Sequence, residues 1–173
     1  AIDRKAIWKT RGAFYGKQWI YSLLHNMGGK NALGGNLDFF ANDPPATLAS
    51  PDHGQLVGFG LAPEGIENND VVYELLSDVP WSAKPIDLDA WVKDYCLARY
   101  GGYPDTMRQA WDLFRKTCYG ERVDHTRATY QHRPTAKPTW KDDRPNDTPE
   151  FRRGVELFLA AGGGGLGLFT AIR

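Results

Sequence analysis

Two short apolar runs, each opening into a polar loop and then a helix-spaced stretch, constrain this chain more than any other feature. Gln18 to Leu24 (QWIYSLL) is aromatic and β-branched without polar alternation, the pattern of a buried strand. It leads into His25-Asn26-Met27-Gly28-Gly29, a polar turn. Leu33, Leu37, Phe39 and Phe40 then suggest a helix, weakened by Gly34 and Gly35. Asp43-Pro44-Pro45 is expected to end it, because proline lacks the N–H that a helix interior needs. Gln55 to Gly60 (QLVGFG) is a second strand candidate, and Leu61-Ala62-Pro63-Glu64-Gly65 a tight loop after it. A helix follows, capped at Asn68 or Asn69, with Val71, Val72, Leu75, Leu76 and Val79 on one face and Pro80 closing it. Strand, loop and helix twice over predict parallel strands joined by helical crossovers. Two such units are too few to close an eight-stranded barrel; they fit as two adjacent staves of one.

The pattern changes after Pro85. Leu88, Trp91, Val92, Tyr95, Cys96 and Arg99 share one helical stripe, with Asp87 as its N-cap. Met107, Ala110, Trp111, Phe114 and Cys118 form a second stripe, opened by Pro104. Gly101 and Gly102 make the turn between them, which predicts an antiparallel helix pair. The boundary near Pro80 to Pro85 therefore divides an α/β region, 1–82, from an α-helical region, 83–173. Residues 120–149 are Pro-rich and charged, and read as loop or linker. Glu150 to Ala161 regains helical spacing, and the run Gly162 to Gly165 opposes its continuation. A sheet of two staves has open edges and an uncovered face, so the chain alone is expected to fold poorly.

Composition excludes several functions. Twenty-one basic and 21 acidic residues balance to zero net charge, and no basic stripe forms on one predicted face. That argues against a nucleic-acid partner. No apolar stretch is long enough for a membrane span, and no signal peptide is visible at the start. Cys96 and Cys118 fit neither a zinc pattern nor a CxxC motif and read as small buried hydrophobes. His125 and His132 are poorly spaced for a metal, and Pro63 stands where a dinucleotide motif beginning at Gly58 would need its third glycine. No metal and no cofactor is expected. Six Trp and eight Tyr suit the apolar faces of sugars, and equally suit a core.

In parallel α/β folds, ligands bind at the carboxyl ends of the strands. This places His25, Asn26 and Glu64 together if the two strands are neighbours. Glu64, between Pro63 and Gly65, could attack an anomeric carbon or shuttle a proton. It fits equally well as a surface charge beside a helix start. His25 and Asn26 can hydrogen-bond sugar hydroxyls, or cap the loop they occupy. Glu67 reads as a helix-start charge and Asp38 as a solvated one.

The segments WIYSLLHNMGG (19–29), VGFGLAPEGIENNDVVYEL (57–75) and DLDAWVKDYCLARYG (87–101) together resemble the α-N-acetylglucosaminidases of glycoside hydrolase family 89. The LHN-x-GG and APEGI blocks carry the resemblance, which covers about residues 14–120. It implies a fragment of a (β/α)8 TIM barrel, its last strands, followed by an α-helical domain. It also implies removal of terminal α-linked N-acetylglucosamine with retention of configuration. By position, Glu64 matches the family's nucleophile, and His25 and Asn26 match the turn that lines the sugar pocket. The family's acid comes from an earlier barrel strand, and no residue here matches it. The resemblance thus implies an incomplete catalyst. Its partners would be a glycan containing N-acetylglucosamine and the remainder of the same enzyme, and its location secreted, periplasmic or lysosomal. The tail GGGGLGLFTAIR departs from the family's helix, as a truncated or frame-shifted reading would. The alternative is a carbohydrate-binding or interaction domain without catalysis.

Overall fold

The two apolar runs do form strands, and they pair in parallel. In the computed structural model, which describes residues 6–23, 34–62, 69–120 and 148–162, β1 spans Gln18–Leu23 and β2 spans Gln55–Leu61. Gln18 lies opposite Gln55 and Leu23 opposite Leu61, with one register shift between Trp19 and Ile20. A short helix, α1 (Ile7–Thr10), and a tight turn at Gly12–Gly16 precede β1. In that turn Ala13, Phe14 and Tyr15 all have φ between 46° and 57°. Left-handed backbone costs a non-glycine residue about 1–2 kcal/mol. Packing holds the turn: Ala13 is buried, and the Phe14 ring meets the edge of Trp19 at 5.2 Å between centroids.

The sheet is covered on one face. Tyr21 and Leu23 are buried, and the rings of Trp8, Trp19, Tyr21 and Phe59 form a ladder with spacings of 6.1, 6.5 and 5.6 Å. The opposite face carries Ile20, Ser22, Gly58 and Gly60. Ile20 is 58% exposed, and so is Val57 at the register shift. A strand buried on both sides was expected for β1; among the described residues only one of its sides is covered.

Helix α2 (Leu37–Ala49) departs from expectation, since it contains Pro44 and Pro45 instead of stopping before them. Pro45 cannot donate to the carbonyl of Ala41. That carbonyl instead accepts from the Ile86 N–H at 3.0 Å. Both prolines are fully buried, so packing offsets the lost helical bonds. The Asn36 side chain caps the helix by accepting from the Phe39 N–H at 2.9 Å.

Helix α3 (Asp70–Asp78) starts after Asn69 and buries Val71, Val72, Leu75 and Leu76, as the spacing predicts. A single 3-10 turn, Val79–Trp81, closes it at Pro80. Helix α4 (Leu88–Tyr100) is capped by Asp87, whose carboxylate accepts from the N–H groups of Asp89 and Ala90. It ends at Gly101, which takes the left-handed conformation at φ 74°. Helix α5 (Asp105–Lys116) runs antiparallel to α4: Tyr95 meets Trp111 edge-on at 5.7 Å, and Asp89 at the start of α4 pairs with Arg115 near the end of α5. Helix α6 (Pro149–Ala161) begins at a Thr148 cap and packs most closely on α5. A Cβ at Gly154 would lie 2.9 Å from the Phe114 ring, so glycine is what lets the two helices approach. One apolar core runs from Leu23 of the sheet through Phe40, Leu75 and Val92 to Trp111 and Phe158.

Candidate functional site

The site is defined by where the strands end. Leu23 and Leu61 are register partners, and the Ala62 N–H donates to the Leu23 carbonyl at 3.0 Å. The chain therefore leaves the sheet twice, side by side, at the same carboxyl edge. Strand neighbours lie about 4.8 Å apart. Glu64, His25 and Asn26 follow these two exits within three residues but lie outside the described residues, as does Glu67. What the structure establishes is the pairing that the sequence argument required, with both segments starting from adjacent points.

Where the far ends of both segments rejoin the fold, each is ion-paired to the helical region. The segment after β1 ends at the start of α2, and the segment after β2 ends at the start of α3. Asp38, expected to be solvated, is ion-paired to Arg115 of α5 at 2.8 Å while remaining half-exposed. Asp70, at the start of α3, pairs with Arg99 of α4. Neither contact is visible in residue order, because each joins residues far apart along the chain.

Below the strand ends, the polar groups on the covered face serve packing. The Tyr21 phenol donates to Asp43 Oδ2 at 2.7 Å. Burial, reinforced by Asp43, pushes that phenol well above its ordinary value, so it stays a protonated donor. Trp8 Nε1 donates to Thr47 at 3.2 Å and Trp19 Nε1 to the His53 carbonyl at 2.9 Å. An apolar cleft of about 530 Å3 opens on this face between the sheet and the end of α3, beside Phe59, Leu61, Leu76 and the exposed Trp81. Among the described residues no carboxylate and no histidine lines it.

The uncovered face is chemically different. Gly58 and Gly60 leave β2 without side chains there; the nearest described atoms to a Cβ at Gly60 would be those of Ile20 and Ser22 on the neighbouring strand. The row of Ser22, Gly60 and Ala62 nearest the carboxyl edge is thus made of small residues.

Cys96 and Cys118 are buried and unpaired. Burial pushes both thiols up to about 12, which keeps them protonated and poor nucleophiles. Among the described residues no group of three or more His, Cys, Asp or Glu side chains is placed to hold a metal ion.

Known proteins match both parts of the chain. Residues 1–83 match the family described as alpha-N-acetylglucosaminidase (NAGLU) tim-barrel domain, and residues 91–164 its C-terminal domain. The human alpha-N-acetylglucosaminidase is 35% identical over 139 residues, covering 77% of this chain. The chain belongs to the α-N-acetylglucosaminidase family. A family 89 glycoside hydrolase from Clostridium perfringens, solved with 2-acetamido-1,2-dideoxynojirmycin, superposes with a TM-score of 0.74 at 28% identity over 92% of the chain. A form of the Clostridium perfringens enzyme with two Glu→Gln substitutions, in complex with its substrate GlcNAc-alpha-1,4-galactose, gives a TM-score of 0.73 at 27% identity over 92% of the chain. The chain spans 18% of the length of the human relative and 19% of the Clostridium perfringens chains.

Proposed function

We propose that the chain forms the nucleophile side of a retaining α-N-acetylglucosaminidase site. In this reading residues 1–82 are the last strands of a (β/α)8 barrel and residues 83–173 the start of an α-helical domain. Glu64 is the nucleophile, and His25 and Asn26 bind the sugar hydroxyls. The observation that carries the reading is the parallel pairing of β1 and β2, which starts both segments from one carboxyl edge. The family membership supplies the chemistry that this edge serves.

Retention needs two carboxyl groups about 5–5.5 Å apart. A Glu64 oxygen attacks the anomeric carbon as the bond to the leaving oxygen breaks. A second carboxylic acid, absent from this chain, gives its proton to that oxygen. Its carboxylate then takes a proton from water, which attacks the same carbon and releases Glu64. Two inversions restore the starting configuration. The substituted Clostridium perfringens enzyme, holding its substrate with two glutamates exchanged for glutamine, is consistent with two such carboxyls.

The test is hydrolysis of a chromogenic α-N-acetylglucosaminide by the complete gene product that carries this chain. Glu64→Gln should lower the rate by about three orders of magnitude or more, since it removes a covalent nucleophile. An unchanged rate would reject the assignment. Sugar binding without turnover that survives Glu64→Ala would favour the non-catalytic reading.

A further inference from the structure

The helical part of the molecule grips α2 and α3 at the ends that follow the two proposed site segments. Tyr119, in the turn after α5, does so twice. Its carbonyl accepts from the N–H of Leu37, the first residue of α2, at 3.2 Å. Its phenol donates to Oδ1 of Asn69, the residue that starts α3, at 3.2 Å. The Asn69 side chain makes no cap bond to its own helix.

Tyr119 is itself firmly held. It is 6% exposed, its ring stacks on Trp111 at 6.0 Å, and its N–H donates to the Phe114 carbonyl at 2.8 Å. Two arginines repeat the connection from the surface. Arg115 pairs with Asp38, the second residue of α2, and Arg99 with Asp70 and Glu74 of α3. Those exposed ion pairs each contribute little. A partly buried hydrogen bond joined to a firmly packed ring is the stronger constraint.

We propose that Tyr119 is a positioning residue for the hydrolysis: it fixes the starts of α2 and α3 relative to each other, and with them the points where the segments carrying His25, Asn26 and Glu64 rejoin the fold. This rests on the reading of those three residues given above. Misplacing a reacting group by about 1 Å can cost about a hundredfold in rate, so a clamp at both helix starts acts on catalysis as well as on folding.

The test uses the complete gene product. Tyr119→Phe keeps the ring and removes the donor; Asn69→Ala removes the acceptor from the other side. Each should lower kcat about tenfold while KM changes by less than about twofold. The double variant should be no slower than either single one, because both break the same bond. Asn69→Asp, which keeps an acceptor, should restore most of kcat. The inference is overturned if kcat is unchanged, if the two losses multiply, or if activity falls only in step with folded protein measured by thermal unfolding. Should Tyr119→Phe not fold, the Asn69→Ala and Asn69→Asp pair decides alone, since a structural role gives no rescue of kcat. Loss of activity in Glu64→Gln with normal kcat in Tyr119→Phe sinks this inference only; normal activity in Glu64→Gln sinks the reading beneath it.

Discussion

The strand pair and the helices that follow it are built on opposite principles. Helices α4, α5 and α6 close on themselves around Trp111, whose ring meets Tyr95, Phe114, Tyr119 and Phe158. The sheet buries one face and leaves Ile20 and Val57 more than half exposed on this chain. Stability and the proposed chemistry thus sit in different places. The helical part is the rigid body, and the strand ends it supports carry the candidate site. Contacts such as Tyr119 to Leu37 and Asn69 let the first stiffen the second.

Substitutions should separate the two regions by size of effect. Trp111→Ala removes the centre of the aromatic cluster and should cost about 3–5 kcal/mol in denaturant titrations of the complete gene product. A loss below about 1 kcal/mol would show that the helices do not form the stable unit. Gly154→Val drives a side chain into the Phe114 ring and should cost about 1–3 kcal/mol, read in the same way. Asp87→Ala unties the cap of α4 and should cost about 1 kcal/mol, with reduced helical circular dichroism. Ile20→Ala, on the uncovered face, should stay within about 0.5 kcal/mol in this chain. In the complete gene product the same change should cost about 2–5 kcal/mol if further strands cover that face. Equal small costs in both would mean that the face stays open, against the barrel reading.

Much of this was legible from residue order. The apolar runs at 18–24 and 55–60, the Asn69 start, the Asp87 cap and the stripe through Trp111 all declare themselves through local spacing, and the structure follows them. What local spacing could not show depends on distant partners. Pro44 and Pro45 stay helical because Ile86, forty residues on, takes the freed Ala41 carbonyl. Ala13, Phe14 and Tyr15 wind left-handed with only Gly12 and Gly16 beside them as a hint. Asp38 looks solvated until Arg115 is brought to it. For the site, position after a strand selected His25, Asn26 and Glu64, while local chemistry left Glu64 divided between nucleophile and helix-end charge. The family blocks on either side decided which role to propose. Tyr119 carried no signal at all, because its importance lies in joining two helix starts that are 33 residues apart in sequence.

The central claim is that Glu64 carries the sugar between the two chemical steps. The direct measurement is mass spectrometry of peptides from the complete gene product, quenched in acid during turnover of a slow α-N-acetylglucosaminide. The expected result is an N-acetylglucosaminyl ester on the peptide containing Glu64, and none in Glu64→Gln. An adduct on a different carboxylate, or turnover with inversion of configuration and no adduct, would contradict it.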